Sequence, residues 1–152
     1  MVLDLREIYE IPGRGEDFEY KIDPSETEYV KGCKFSEPVS VRGRVRNRSG
    51  IVTLSFETKT RLDRVCDKCL REFSEDFSLD FEHSLMLSAQ NEMSLEDETC
   101  IVTGTYTLDL NDIVLQDILL SLPTRTLCRE DCKGLCPLCG HDLNEGPCDC
   151  RK

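Results

Sequence analysis

Val39-Ser40-Val41-Arg42-Gly43-Arg44-Val45-Arg46-Asn47-Arg48-Ser49-Gly50-Ile51-Val52-Thr53-Leu54-Ser55-Phe56 decides how this chain folds. Val39, Val41 and Val45 alternate with Arg42, Arg44 and Arg46, a period of two that marks a half-buried strand with its arginines on one face. Asn47-Arg48-Ser49-Gly50 is a turn signal. Beyond it Val52, Leu54 and Phe56 alternate with Ile51, Thr53 and Ser55, a return strand that can run to about Val65. The two strands make a long hairpin. Phe73, Phe77, Leu79, Phe81 and Leu85 then suggest a further long strand or pair of strands.

Flanking segments read less regularly. Phe18, Tyr20 and Ile22 suggest an edge strand, followed by a turn at Pro24-Ser25-Glu26. Residues 88–100 look like a mobile acidic loop. Helical spacing runs from 109 to 121: Leu110, Ile113, Val114, Ile118 and Leu122 recur with Asp117 among them, and Asp112, Gln116 and Ser121 lie opposite. Asp109 or Asn111 can cap this helix and Pro123 stops it. The expected fold is α+β: mainly antiparallel sheet built of long hairpins, one helix in the C-terminal half, and a cysteine-rich metal-binding tail. The expected division is a core over 1–127 and a tail over 128–152.

The chain has 152 residues, 39% of them hydrophobic, enough for one ordinary domain with a real core. Its net charge of −11 argues against nucleic-acid binding over the whole surface. The charge is unevenly placed, +4 over residues 36–73 and −10 over 74–127. A bipolar chain of this kind suits charged partners, although the two halves can also neutralise each other. No apolar run approaches the roughly 20 residues that span a bilayer, and the N-terminus lacks the pattern of a secretory signal. A reducing, cytoplasmic setting is therefore expected.

Ten cysteines are present, six of them between Cys128 and Cys150. In a reducing compartment such clusters bind metal rather than form disulfides. Cys136-Pro-Leu-Cys139-Gly140 is a metal knuckle: two spacers let both sulfurs reach one ion from a tight turn, and glycine lets the backbone bend. Cys148 and Cys150, after the turn Asn144-Glu-Gly-Pro147, can complete a quartet, though one spacer between them is tighter than usual. Cys66-Asp-Lys-Cys69 is another two-spacer pair, and Cys128 and Cys132 are three residues apart. These four can form a second site that pins the tail to the sheet, or Cys66 and Cys69 can join tail cysteines in a single site. Spacing alone leaves one site or two open. Arg129, Lys133, Arg151 and Lys152 can offset the thiolate charge. Cys33 and Cys100 have no obvious partner.

The expected ion is structural Zn2+, with iron the rival, because a catalytic zinc normally keeps a histidine or carboxylate and a water position. Of the two histidines, His141 reads as an exposed loop residue and His83 as a surface side chain. No phosphate loop, nucleophile elbow or Ser-His-Asp set is present, so an enzyme is not expected. A thiol redox protein using the Cys-x-x-Cys pairs is the alternative, but no βαβ setting surrounds them.

The run Cys66-Asp-Lys-Cys69-Leu-Arg71, then Leu122-Pro123, then Leu127-Cys128 through Cys132-Lys-Gly-Leu-Cys136-Pro-Leu-Cys139-Gly140 to Asn144, with Cys148-Asp-Cys150, resembles the YceD family of bacteria and plastids. The resemblance implies a role in accumulation of large-subunit (23S) ribosomal RNA, and so in ribosome biogenesis. Some members lack the tail cysteines, which implies a structural metal in this chain. The partners implied are pre-ribosomal rRNA or a basic ribosomal protein, with no membrane and no small-molecule substrate. Arg42, Arg44, Arg46 and Arg48 would then meet rRNA phosphates or an acidic protein. Cross-strand pairing of these arginines with Glu57 or Asp63 is the bland reading of the same row.

Overall fold

The computed structural model describes residues 1–23, 25, 34–87 and 100–150. In chain order it contains β1 (Val2–Asp4), α1 (Arg6–Glu10), β2 (Gly15–Ile22), β3 (Lys34–Phe35), β4 (Val39–Arg48), β5 (Ile51–Val65), β6 (Glu72–Leu87), β7 (Cys100–Thr103), β8 (Thr107–Asp109) and α2 (Leu110–Ser121). The main sheet runs β2-β4-β5-β6-β7, with β3 added to the end of β5, and β1 pairs separately with β8. The architecture is mostly antiparallel sheet with few helices. Its one parallel pairing is β6 with β7 among the described strands.

The central hairpin forms where the alternation puts it. Arg48 pairs with Ile51, leaving Ser49 and Gly50 as the loop. Both have positive φ, 53° and 91°, the two-residue turn whose twist matches that of the flanking strands. Asn47 is buried there: its Nδ2 donates to the Ile8 carbonyl at 2.8 Å, and its Oδ1 accepts from the Gly50 N–H at 2.9 Å. The turn is thereby tied to α1.

One face of the sheet is the core. Val39, Val41 and Val45, with Val52, Leu54, Phe56 and Leu62, point into it and are buried. Leu3, Leu5 and Ile8 and then Leu108, Leu110, Val114 and Ile118 cover them from β1, α1, β8 and α2. Gly43 lies in the inward phase of β4, where a Cβ would sit 2.6 Å from the Phe56 Cβ and 2.7 Å from the Phe18 ring. Its missing side chain lets these two aromatics close over the strand.

The structure decides between some expectations and revises others. Of the long strand or pair of strands expected after the hairpin, β6 is the single long strand. The described residues hold two helices rather than one; α1 has five residues, too few for a helical period to show. In α2 the cap is Asp109, whose carboxylate accepts from the Asn111 N–H at 3.0 Å. His83 is not a surface side chain. It lies half-buried on the core face, stacks on Phe56 with centroids 6.0 Å apart, and its Nε2 meets Asp117 Oδ2 at 2.7 Å. Asp117 interrupts the apolar face of α2 because it receives His83. Pro24 and Glu26 of the expected turn, residues 88–99 of the acidic loop, Cys33, Arg151 and Lys152 lie outside the described residues.

Candidate metal centres

The end of β5 turns through Cys66-Asp-Lys-Cys69 into β6. Cys66 and Cys69 are buried there, and Cys128 and Cys132 come down on them from the segment after α2. The four sulfurs lie within 4.8 Å of one another. Cys66 and Cys132 approach to 3.7 Å, and Cys69 and Cys128 to 3.6 Å. Cys136, Cys139, Cys148 and Cys150 form a second tetrad within the same limit, with Cys136 and Cys148 at 3.3 Å. Four sulfurs at about 2.3 Å from a tetrahedral zinc stand about 3.8 Å apart. Both tetrads are therefore nearly the right size to hold a metal ion, and the structure assigns the eight cysteines to two separate groups rather than one mixed site.

The two knuckles share one backbone shape. The Leu70 N–H donates to the Cys66 carbonyl at 2.9 Å, and the Gly140 N–H to the Cys136 carbonyl at 2.9 Å. The residue after the second cysteine is left-handed in each, Leu70 at φ 57° and Gly140 at φ 74°. This bend aims backbone N–H groups at the first sulfur. Burial pushes the Cys66 thiol up, but N–H groups of Cys128, Cys69 and Lys68 outweigh it and bring the thiol down to about 6. The N–H groups of Leu138 and Cys139 and the Cys148 thiol bring Cys136 down to about 6 as well. Cys128 is pushed up to about 12 by burial and by its neighbouring thiols. Cys150 is pushed up to about 12 by the Cys139 thiol first and then by burial. Each cluster thus readily holds one thiolate and resists a full set, the charge imbalance that a divalent cation removes.

The groups are not independent of each other. Gly134 lies between them with φ 76°, and a Cβ there would come within 2.9 Å of the Lys68 carbonyl oxygen. The Leu135 N–H donates to that carbonyl at 3.0 Å. Asn144, from the turn before Cys148, donates from Nδ2 to Cys132 Sγ at 3.4 Å and accepts at Oδ1 from the Lys133 N–H at 2.8 Å. Arg71, just past the first knuckle, reaches Asp142 at 3.1 Å and Glu145 at 3.3 Å. Such outer contacts orient metal ligands and offset thiolate charge.

Sequence reading missed Asn144 and Arg71 as supports, and also Arg64. Arg64 lies in the inward phase of β5, 4% exposed, with its guanidinium against Glu75 and Thr126 and above the Phe77 ring. Thr126 in turn exchanges hydrogen bonds with Asp67. A charge in an otherwise uncharged inward phase was the signal available for Arg64. His141 is exposed, neither histidine belongs to a tetrad, and Cys100 is half-buried outside both groups.

The arginine row is exposed on the outer face of β4, with acidic strands around it. Arg42 stands opposite Glu57 on β5 and Glu19 on β2; Arg44 stands beside Asp17, its Nε 3.7 Å from the carboxylate. Asp63 does not oppose the row; it faces Lys34 and Ser74. Arg46 and Arg48, opposite Thr53 and Ile51 at the hairpin tip, have no ion pair among the described residues. The row is a cationic column, half neutralised at one end and open at the other.

The family described as "Large ribosomal RNA subunit accumulation protein YceD" matches residues 54–152. The chain is 23% identical over 138 residues to the uncharacterized protein YlbN of Bacillus subtilis, covering 90% of this chain and 79% of that protein. It is 42% identical over 60 residues to uncharacterized proteins of Mycobacterium bovis and Mycobacterium tuberculosis, covering 40% of this chain and 28% of each relative. Against those mycobacterial relatives, then, the matched stretch spans under a third of their length. No solved structure matches the chain.

Proposed function

This chain belongs to the YceD family, and from that premise we propose that it is a non-enzymatic ribosome-biogenesis factor supporting accumulation of large-subunit (23S) rRNA. It does so by holding rRNA or a basic ribosomal protein in the cytoplasm, with a structural zinc ion in each cysteine tetrad. None of the described helices is long and apolar enough to cross a membrane. The observation that carries the reading is the pair of all-cysteine groups built onto one end of the sheet. Structural zinc sites are closed and four-coordinate, and a set of four sulfurs leaves no position for a reacting water or substrate. Zinc there would hold the tail against the sheet; the sheet and its charged columns remain as the surface that meets a partner.

At the hairpin tip, Arg46 and Arg48 are the arginines best placed to meet rRNA phosphates, because Arg42 and Arg44 already face carboxylates. The test is co-sedimentation with large-subunit precursors. Arg46→Glu with Arg48→Glu should weaken association more than reversal of Arg42 and Arg44, with a reduced dependence on salt. Unchanged sedimentation at every salt concentration would remove the arginines from the reading. Iron in place of zinc, with a thiol that turns over, would favour a redox protein instead.

A further inference from the structure

On its side away from β5, β6 pairs only with β7, and only over Ser84–Leu87, among the described residues. Among the described residues nothing pairs on that side with the stretch Glu72–His83, which presents its backbone N–H and C=O groups as an open sheet edge. Open edges template further pairing, and proteins usually guard them with charge. Here every guard is acidic: Glu72, Glu75, Asp76, Asp80 and Glu82, with no lysine or arginine in the stretch. That composition repels a second copy of the same edge and any nucleic acid, but attracts a basic strand.

The charge is also left underbalanced from within. Glu57 and Asp80 stand directly opposite each other across β5 and β6, a like-charge pair that costs stability. Lys59 turns to Glu57 at 2.7 Å, leaving Asp80 with no ion pair among the described residues. Among the described residues Asp76 has only Arg61, at 3.8 Å, and its side chain is 83% exposed. On the opposite face of the same strand Phe77, Leu79 and Phe81 are only partly buried at the margin of the core.

We propose that the Glu72–His83 edge of β6 takes up an extended basic polypeptide segment as an added strand. Its alternate lysines or arginines lie beside Asp76, Asp80 and Glu82, and the residues between them, apolar, extend the row of Phe77, Leu79 and Phe81. Main-chain hydrogen bonds supply affinity and the two side-chain rows supply selectivity, as in strand addition generally. The inference deepens the reading of the protein as a ribosome-biogenesis factor by naming the partner's chemistry: a basic protein segment in extended form.

The test uses the full chain with its metal and a capped peptide of about twelve residues alternating lysine and valine, long enough to span the edge. Fluorescence anisotropy should show saturable binding that weakens with salt. Methylating every second peptide nitrogen on the pairing side keeps the charge but removes the donors, and should weaken binding about tenfold or more. Asp80→Lys should weaken it comparably, and that variant places a lysine opposite Glu57, so it keeps or gains stability. Equal binding of the methylated peptide, indifference to Asp80→Lys, or tighter binding of an RNA oligonucleotide or of a second copy of the chain at this edge would each overturn the proposal. Peptide binding that persists while the protein fails to sediment with ribosomal precursors would refute the ribosomal reading alone. Sedimentation without peptide binding would refute this one alone.

Discussion

Removing one sulfur from each tetrad in turn should remove one metal ion at a time. Cys139→Ser leaves Cys136, Cys148 and Cys150, a three-sulfur remnant on an open side, since Cys139 is exposed. Elemental analysis of the unaltered chain, purified without chelator, should give about two zinc ions, and of this variant about one. Cys69→Ser should also leave about one, because Cys69 belongs to the other group. The shortest sulfur pairs, 3.3–3.7 Å, differ by only tenths of an ångström from the tetrahedral edge, and every pair lies within 4.8 Å, so a shift of about 1 Å at most closes each group on an ion. With free zinc about a thousandfold above the dissociation constant, each ion stabilises the segment it closes by about 4 kcal/mol. Amide exchange over residues 136–150 should therefore accelerate about a thousandfold in Cys139→Ser, with the sheet's buried strands left protected. That separation follows from the core, whose buried cluster contains none of the eight cysteines. Two ions retained in Cys139→Ser would refute the assignment of two groups. Equal deprotection of β4 and β5 would refute the independence of the sheet.

Further outcomes follow from the packing. Gly43→Ala should destabilise the sheet by about 1–3 kcal/mol, because the new Cβ would stand 2.5 Å from the Ser55 backbone oxygen, which the ladder holds in place. A thermal midpoint lowered by several degrees checks this. Leu70→Gly should leave metal content unchanged and raise stability by up to about 1 kcal/mol: relief of a left-handed leucine, about 1–2 kcal/mol, exceeds the glycine entropy cost, about 0.5–1. The side chain lost is 64% exposed, so little packing goes with it. A lower denaturation midpoint would show that Leu70 packs usefully. Asp117→Ala should cost about 1–3 kcal/mol by leaving His83 Nε2 without its partner beneath α2, measured by urea denaturation; an unchanged midpoint would show water replacing the carboxylate.

Much of the fold was legible because its cause is local. Alternation with period two, a turn with Gly50, and an apolar stripe from Leu110 to Ile118 each specify an element from neighbouring residues alone. The knuckle spacings likewise identify metal-binding chemistry, since a pair of sulfurs two residues apart meets within one turn. α1 was not legible because a single helical turn has no period to read, and β6 was legible as strand but not as one strand rather than two, because the charged residues of its stretch obscure the alternation.

Tertiary structure decided the rest, through distance between residues far apart in sequence. Which cysteines share an ion depends on how the segment after α2 returns to the end of β5, where Arg64, Thr126 and Asp67 lay Cys128 and Cys132 over Cys66 and Cys69. The arginine row is visible in sequence, but its electrostatic character depends on Asp17, Glu19 and Glu57, which only strand order and register bring beside it. His83 shows the same limit: its phase in β6 points inward, and only the docking of α2 supplies the Asp117 carboxylate that lets a polar ring stay there. Local pattern specifies which face a residue takes. What lies against that face is set by long-range packing, because hydrogen bonding and metal coordination act over only a few ångströms and exposed charges are screened within about 10 Å.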